Sequence, residues 1–359
     1  MPAPEDWGQD ISHSPIGRRE ACRRIGMLGS ALMLAGFSTV SRAMTDAGSQ
    51  SRRSEPGGLP RRPLGQTGVT IPILGLGGSH LLNTSDEEGE RLVQEAIEGG
   101  LTFFDNAWDY HNNRSEVVMG KALKGRRHEV FLMTKMCTHG RGKKIGMLHL
   151  EQSLRRLGTD HLDLWQIHEV GCDDEPERIF QKGGAIEALA EAKRQGKVRY
   201  IGFTGHKSPA VHLKMLKYGF SFDTCQLPLN VFDATYSSFE QQVLPELLRQ
   251  GIAPIAMKSL CGHGKPIEQR ILTVEEAMRY TLSLPVSTLV SGINSREVLR
   301  QNLAIARRFV PMTHEEMVQL RHRVSPHAKD GQFEDYKTKP ARSCDQHEIE
   351  RQFGVLEKG

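Results

Sequence analysis

The chain has few of the features that mark a metal or redox-cluster protein. Its six cysteines, at positions 22, 137, 172, 225, 261 and 344, contain no C-x-x-C pair, which excludes a zinc ribbon or a ferredoxin-type cluster. They read as isolated thiols, with Cys137, Cys225 and Cys261 in apolar surroundings where cysteine acts as a small buried hydrophobe, and no disulfide is assigned. Fifteen histidines show no H-E-x-x-H or comparable spacing, so no metal is expected. No apolar run reaches the roughly 20 residues that a bilayer span requires. A strong charge of one sign is also missing. The formal charge is +4 over 359 residues, much of it in Arg18, Arg19, Arg23, Arg24, Arg52, Arg53, Arg61 and Arg62, so no nucleic-acid partner is expected. Finally, Gly75-Leu76-Gly77-Gly78 lacks the third glycine of a G-x-G-x-x-G turn, which counts against a Rossmann domain.

What remains is the profile of a soluble globular chain with many turns: 38% hydrophobic, 25% charged, 36 glycines. Its length fits two ordinary domains or one α/β barrel of about 250 residues with extensions. The first 43 residues differ in kind. A basic stretch with Arg23-Arg24 is followed by an apolar run from Ile25 to Val40 and then by Ser41-Arg42-Ala43, the build of an export signal. The paired arginines before Ile25-Gly26-Met27-Leu28 resemble a twin-arginine (Tat) signal, which implies the Tat machinery as a transport partner and a periplasmic destination. The alternative is a leader with a chance arginine pair on a cytoplasmic protein. Residues 44–60 are Ser-, Gly- and Arg-rich and read as a linker, residues 61–324 as the folded body, and residues 325–359 as a His-, Lys- and Asp-rich tail that either folds over the body or stays mobile.

From Arg61 onward short apolar runs alternate with amphipathic segments, the signature of βα units and a parallel sheet. Eight strands are expected, at Ile73 to Leu76, Thr102 to Asp105, Val130 to Thr134, Leu162 to Ile167, Val198 to Phe203, Thr224 to Leu227, Ile252 to Met257 and Ser287 to Ser291. Helix patterns lie between them, among them Glu87 to Glu98 behind Ser85, Met147 to Leu157, Ala185 to Gln195 and Glu275 to Leu284. The fold class is therefore α/β, a closed (β/α)₈ TIM barrel, with an open doubly wound sheet as the competing architecture.

In such a barrel the chemistry sits where strands end at the C-terminal face. Strand two ends Phe103-Phe104-Asp105-Asn106-Ala107-Trp108-Asp109-Tyr110, strand three Thr134-Lys135, and strand four Gln166-Ile167-His168. An acid, a phenol, an amine and an imidazole together solve one problem. Reducing a carbonyl builds negative charge on its oxygen, which must be protonated. A phenol of ordinary pKa near 10 shuttles that proton poorly unless a neighbouring cation favours its ionised form. Lys135 supplies the cation, Asp105 orients Lys135, and His168 donates a hydrogen bond to the substrate oxygen.

These residues resemble the aldo-keto reductase family from about Arg61 to Phe309. Phe103 to Tyr110 is similar to its F-D-x-A-x-x-Y segment, and Thr134-Lys135 and Gln166-Ile167-His168 to its Lys and His motifs. Arg62-Pro63-Leu64-Gly65-Gln66-Thr67-Gly68 resembles its N-terminal β-hairpin plug. The resemblance implies Tyr110 as general acid/base, Asp105 and Lys135 tuning it, His168 orienting a small carbonyl or alcohol substrate, and a nicotinamide cofactor across the barrel mouth. It also implies cofactor contacts. Thr204 and Gln226 match the carboxamide positions, although Gly205 replaces an Asn, and Met257 stands where an aromatic stacks on the nicotinamide. Lys258, Ser259, Leu260 and Lys265 resemble the pyrophosphate loop. Gly292, Asn294, Arg296 and Asn302 resemble the adenosine end, where Val298 replaces a polar or cationic residue that holds the 2′-phosphate and Arg296 or Ser295 is left to compensate. The family's usual preference favours NADP(H), with NAD(H) as the alternative. Trp108 is the candidate substrate-pocket residue, with Leu229, Phe232 and Trp165 as further apolar lining. Two other functions share this barrel: a nucleotide-binding regulatory subunit without turnover, and an isomerase or lyase. The sequence does not name the substrate or the oligomeric state.

Overall fold

The computed structural model describes residues 58–82, 85–137 and 141–340. The signal assigned to 1–43, the linker to residue 57 and the tail beyond residue 340 lie outside the described residues. A hairpin of β1 (Arg61–Pro63) and β2 (Thr70–Pro72) opens the fold. Eight strands follow: β3 (Leu74–Gly77), β4 (Phe103–Asp105), β5 (Phe131–Met136), β6 (Leu162–Ile167), β7 (Val198–Thr204), β8 (Thr224–Pro228), β9 (Ala253–Met257) and β10 (Thr288–Gly292). Each pairs in parallel with its neighbour, and β10 pairs with β3, so the sheet closes. That pairing removes the open-sheet alternative. The hairpin is the expected plug, and every strand boundary falls within two residues of the sequence reading, the largest difference being Met136 against Thr134.

The principal helices after each strand are α1 (Asp86–Glu98), α2 (Arg114–Ala122), α3 (Lys143–Leu157), α4 (Ala185–Arg194), α5 (Pro209–Lys217), α6 (Leu244–Gln250), α7 (Val274–Ser283) and α8 (Arg296–Arg307). Two more, α9 (His314–Val324) and α10 (Asp335–Thr338), end the described chain. Among the described residues no helix is long and apolar enough to cross a membrane. α1 shows why these segments are helical. Ser85 accepts from the Glu88 N–H, Asp86, Glu87 and Glu88 fill the first turn where the helix dipole favours anions, and Leu92, Val93, Ala96 and Ile97 form one buried stripe. Gly100, at φ +82°, then turns the chain back towards β4.

Two apolar layers result. The larger lies between strands and helices; the smaller fills the lower half of the barrel interior, with Phe103, Phe131, Met133, Leu164, Ala253, Ile255 and Val290 sealed from below by Leu64 and Ile71 of the plug. Phe103 and Phe131 stack there at 5.2 Å. The strands approach closely: a Cβ on Gly202 would lie 2.2 Å from the Thr224 Oγ1 and 2.4 Å from its carbonyl oxygen, so β7 needs bare backbone at that point.

Arg62 locks the plug in place. Its guanidinium donates to the carbonyls of Leu282 at 2.7 Å and Val286 at 2.9 Å and lies 5.4 Å from the Phe309 ring. Burial lowers its pKa to about 10, which leaves it a cation at neutral pH. Charge-assisted bonds of this kind contribute about 1.5–3 kcal/mol. Arg62→Ala should therefore lower the denaturant midpoint by an equivalent of about 2 kcal/mol. Arg62→Lys should recover only a minor part, because one ammonium does not span two carbonyls; full recovery would assign the effect to side-chain packing alone.

Candidate active site

Residues facing the barrel interior recur every second position along a strand, and this places the polar groups. On β4 Phe103 is in the sealed layer and Asp105 above it; on β5 Phe131 and Met133 precede Lys135; on β6 Leu164 precedes Gln166, and His168 follows the strand end. Asp105 (3% exposed), Lys135 (1%) and His168 (8%) are buried at the mouth. Lys135 Nζ forms an ion pair with Asp105 Oδ1 and donates to the Asn106 carbonyl at 2.8 Å and to the Tyr110 hydroxyl at 3.3 Å. The same ammonium lies 4.9 Å from the Tyr110 ring centroid, and the His168 ring meets Tyr110 edge-on at 5.5 Å. The four residues expected to act together do share one site.

Tyr110 is held by its local chain. After β4 the backbone continues along β5, Asn106 N–H donating to the Met133 carbonyl and Trp108 N–H to the Lys135 carbonyl, both at 3.0 Å. His111, Asn112 and Asn113 then take positive φ of 50°, 54° and 72°, a conformation that asparagine tolerates, and the Asn113 side chain closes the turn on the Trp108 carbonyl. Behind the site, buried Glu116 accepts from Thr134 Oγ1 at 2.7 Å and Arg156 at 3.0 Å, while burial raises its own pKa.

The apolar part of the pocket wall differs from the sequence expectation, while Trp108 stays half-buried in the loop that carries Tyr110. Trp108 turns towards α3, donating Nε1–H to Gln152 at 2.7 Å, packing on His149 at 4.5 Å and lying under Arg156 at 5.1 Å. Trp165, Leu229 and Phe232 are fully buried in the outer core, so they do not form an apolar lining. Polar residues missed by the sequence reading stand near the tetrad instead. Asp109 Oδ1 is 3.3 Å from His168 Nδ1, and His206 is 3.6 Å from Glu169. Burial works to raise the Asp109 pKa, but His168 and then Lys135 outweigh it and hold the carboxyl at about 2. Burial, with Lys258 beside it, pushes His206 well below its usual range, so its contact with Glu169 involves a neutral ring. The adjacent Asp109-Tyr110 pair was the available signal for the first of these.

The expected cofactor positions form an arc from β7 round to α8. Thr204 (2% exposed) and Gln226 (1%) pair in register, and Gln226 donates to Asp105 Oδ2 at 3.0 Å. Gln226 Oε1 and, at the other end of the arc, Asn302 Oδ1 are buried without a hydrogen-bond partner among the described residues. Orphaned acceptors at both ends fit a long polar ligand with donors at each end, such as a dinucleotide. Gly205 is set by packing: a Cβ there would meet the Val170 carbonyl oxygen at 2.3 Å and His212 at 2.6 Å, so the Asn usual in the family has no room. Met257 is half-buried at the end of β9, Lys258 takes a left-handed φ of 60°, and Ser259 is buried. Leu260 is half-buried, Lys265 is exposed at the start of a one-turn helix, and Gly292 and Asn294 are exposed after β10.

The tail folds onto this arc. Lys337 Nζ, buried, donates to Asp233 Oδ1 at 2.6 Å and Glu334 Oε2 at 3.0 Å, and Asn230 donates to Glu334 at 3.1 Å and to the Tyr336 hydroxyl at 3.0 Å. Tyr336 packs against His206 at 5.6 Å and under Lys258 at 5.0 Å, and Lys207 donates to the Lys337 and Lys339 carbonyls at 2.6 Å. Cys172 is disulfide-bonded, which corrects the reading of all six cysteines as isolated thiols; sequence spacing gave no sign of it.

A closed parallel barrel gathering these groups at its C-terminal mouth is the build of an oxidoreductase that moves hydride and proton onto a carbonyl. The chain belongs to the aldo/keto reductase family, whose model matches residues 73–265. It is 26% identical over 304 residues to the uncharacterized oxidoreductase YqkF of Bacillus subtilis, covering 73% of this chain and 95% of the relative. It is 28% identical to the aldo-keto reductase yakc [NADP(+)] of Schizosaccharomyces pombe, over 52% of this chain and 54% of the relative, so only about half of that protein's length is spanned. The holo form of the aldo-keto reductase AKR11C1 from Bacillus halodurans shares the fold at TM-score 0.64 and 24% identity, over 74% of this chain and 96% of that one. The chain is accordingly an NAD(P)H-dependent oxidoreductase.

Asp109→Asn should misalign His168, lowering kcat and raising the carbonyl KM by about tenfold in their ratio while leaving dinucleotide affinity unchanged. The depressed carboxyl adds a second, pH-dependent readout. A carboxyl held at about 2 contributes stability that is present above its ordinary pKa of about 3.9 and is lost as pH falls through about 2. The stability gap between the parent and Asp109→Asn should thus persist from neutral pH to about pH 4 and close only below it. A gap that closes near pH 6 would show that the Asp109–His168 contact is not its source.

Proposed function

We propose that the chain reduces an aldehyde or ketone, or oxidises the corresponding alcohol, with Tyr110 as the general acid/base. The observation behind this reading is the chain of contacts from Asp105 through Lys135 to the Tyr110 hydroxyl. The bound nicotinamide supplies or accepts the hydride. In reduction Tyr110 O–H breaks as the new O–H forms on the substrate oxygen, and the phenolate left behind faces Lys135. Asp105 and the Asn106 carbonyl keep that ammonium in place, and solvent returns the proton to Tyr110. His168 fixes the substrate oxygen from the second side. A regulatory subunit would have no need of this arrangement. Tyr110→Phe should bind dinucleotide nearly as the parent does and lose at least about 10²-fold in turnover. The assignment of the acid is falsified if turnover stays near normal.

For the cofactor we propose NADP(H), with NAD(H) also accepted; an NADP(+) relative supports the first. Arg296 does not stand free beside Val298 but is paired with Glu88 at 2.8 Å.

We further propose Tat export to the periplasm, with a cytoplasmic location as the alternative. Two features favour export: the Arg23-Arg24 leader and the disulfide at Cys172, a bond that persists mainly in oxidising compartments. The periplasm offers no evident supply of free reduced nicotinamide. An exported enzyme would therefore carry its cofactor from the cytoplasm and recycle it by oxidising one substrate while reducing another. The docked tail suits such retention, because moving the Lys258 loop away from Tyr336 disturbs a buried ion cluster. Fractionation with cofactor analysis of the purified protein should find a periplasmic chain starting near Met44 with near-stoichiometric nicotinamide, lost in Lys337→Met. A periplasmic chain that is cofactor-free would sink the retention idea, and a full-length cytoplasmic chain would remove its premise.

A further inference from the structure

We infer that Glu88 sets the dinucleotide selectivity of this chain by occupying Arg296, the cation best placed to hold a 2′-phosphate. The inference rests on the cofactor-dependent reading above.

α8 starts directly after β10, and its N-terminus, with unpaired N–H groups and the positive end of the helix dipole, is suited to an anion. A second feature of the same helix points to a ligand. Asn302, 3% exposed, donates Nδ2 to Ser291 Oγ at 3.0 Å and leaves Oδ1 buried with no partner among the described residues. The side chains of the first turn decide what the anion would meet. Ser295 is the N-cap, its Oγ accepting from Val298 N–H at 3.3 Å, so its acceptor already serves the helix. Val298 offers no charge. Arg296 does, but Nε lies 2.8 Å from Glu88 Oε1 and 3.9 Å from Glu95 Oε2, both from α1. Arg300, one turn further, is paired with Glu95 at 2.7 Å. Two arginines of α8 thus face two glutamates of α1.

A 2′-phosphate can recruit Arg296 only by displacing Glu88, which then keeps only its 3.5 Å contact with Arg91 and lies beside a dianion. The new charge-assisted contact replaces an equally charge-assisted one, and the repulsion is added. A free ribose 2′-hydroxyl carries no such penalty, and a carboxylate near it is a favourable acceptor. The structure therefore assigns this chain a weak discrimination between the two dinucleotides, set by an acid from the first helix of the barrel rather than by α8 alone.

The test is a double-mutant cycle read by equilibrium binding of NADPH and NADH to the full-length protein, through quenching of its tryptophan fluorescence. The parent should bind the two within about tenfold of each other. Glu88→Gln should tighten NADPH by about tenfold and leave NADH within about twofold, because it removes the shorter of the two carboxylate contacts on the guanidinium, leaving Glu95 at 3.9 Å, and removes the repelling charge. Arg296→Ala alone should change NADPH little, yet in the Glu88→Gln background it should cancel the gain. Val298→Arg supplies a cation that has no assigned acidic partner and should tighten NADPH in either background. If Arg296→Ala alone weakens NADPH by more than tenfold, the arginine already holds the phosphate and the inference is overturned; an unmoved ratio in Glu88→Gln overturns it as well. Failure of either dinucleotide to bind the parent removes the cofactor reading itself, and the inference with it.

Discussion

The whole molecule depends on the two-residue alternation of inward-facing positions in a closed barrel. Closure means that each strand contributes to a single interior column, so each inward position must suit its height. Low in the barrel the column is apolar and sealed by the plug: Phe103, Phe131, Met133, Leu164, Ile255. One step higher on the same strands the residues are Asp105, Lys135 and Gln166. A single-residue register shift in β5 would send Lys135 into the outer core and Thr134 into the barrel. The constraints that hold β4, β5 and β6 in register, such as the pairing of Lys135 with Gln166 and of Asp105 with Met133, are therefore also what assembles the site.

Placing an ammonium and a carboxylate at that height has a desolvation cost of several kcal/mol per ion, which their mutual attraction offsets only when the remaining donors and acceptors are also met. Lys135 meets that condition with Asp105, the Asn106 carbonyl and the Tyr110 hydroxyl. Gln226 satisfies the other oxygen of Asp105. The phenol is thereby part of the solvation shell of a buried cation. This is the physical link between the fold and the proton-transfer chemistry, since any charge that forms on the phenolic oxygen lies beside a cation already desolvated and fixed in position.

The sequence made the barrel and the tetrad legible for the same reason. Each strand is a short, mainly apolar run bounded by turn residues, and each catalytic side chain sits at or just beyond a strand end. Contacts between distant segments left no such trace. Asp109 was visible beside Tyr110, but its pairing with His168 across 59 positions needed the closed barrel. Glu88 looked like part of a helix start, which it is, and nothing local signalled Arg296 at the far end of the sheet order. Trp108 lies in the motif, but its contacts with the face of α3, where Gln152, His149 and Arg156 fall at helical spacing, had no local sign.

The tail was the least legible segment, and its composition explains why. It has little apolar periodicity, its helix α10 spans four residues, and no side chain caps that helix. A segment of that kind does not fold alone. It is ordered by partners that exist only once the barrel has closed: Asp233 and Asn230 after β8, Lys207 after β7 and Lys258 after β9. Burial and the nearby Glu334 raise the Asp233 carboxyl to about 6 against the pull of Lys337, so the docked tail is close to a change of charge near neutral pH. Relative to the unfolded chain, stability from this group is greatest below about 4 and declines as pH rises through about 6. Its apolar anchors are few, Phe333 chief among them, and polar contacts hold the rest of it. The element that covers the Lys258 loop thus takes its order from the closed barrel, while the apolar layer inside the barrel is built without it.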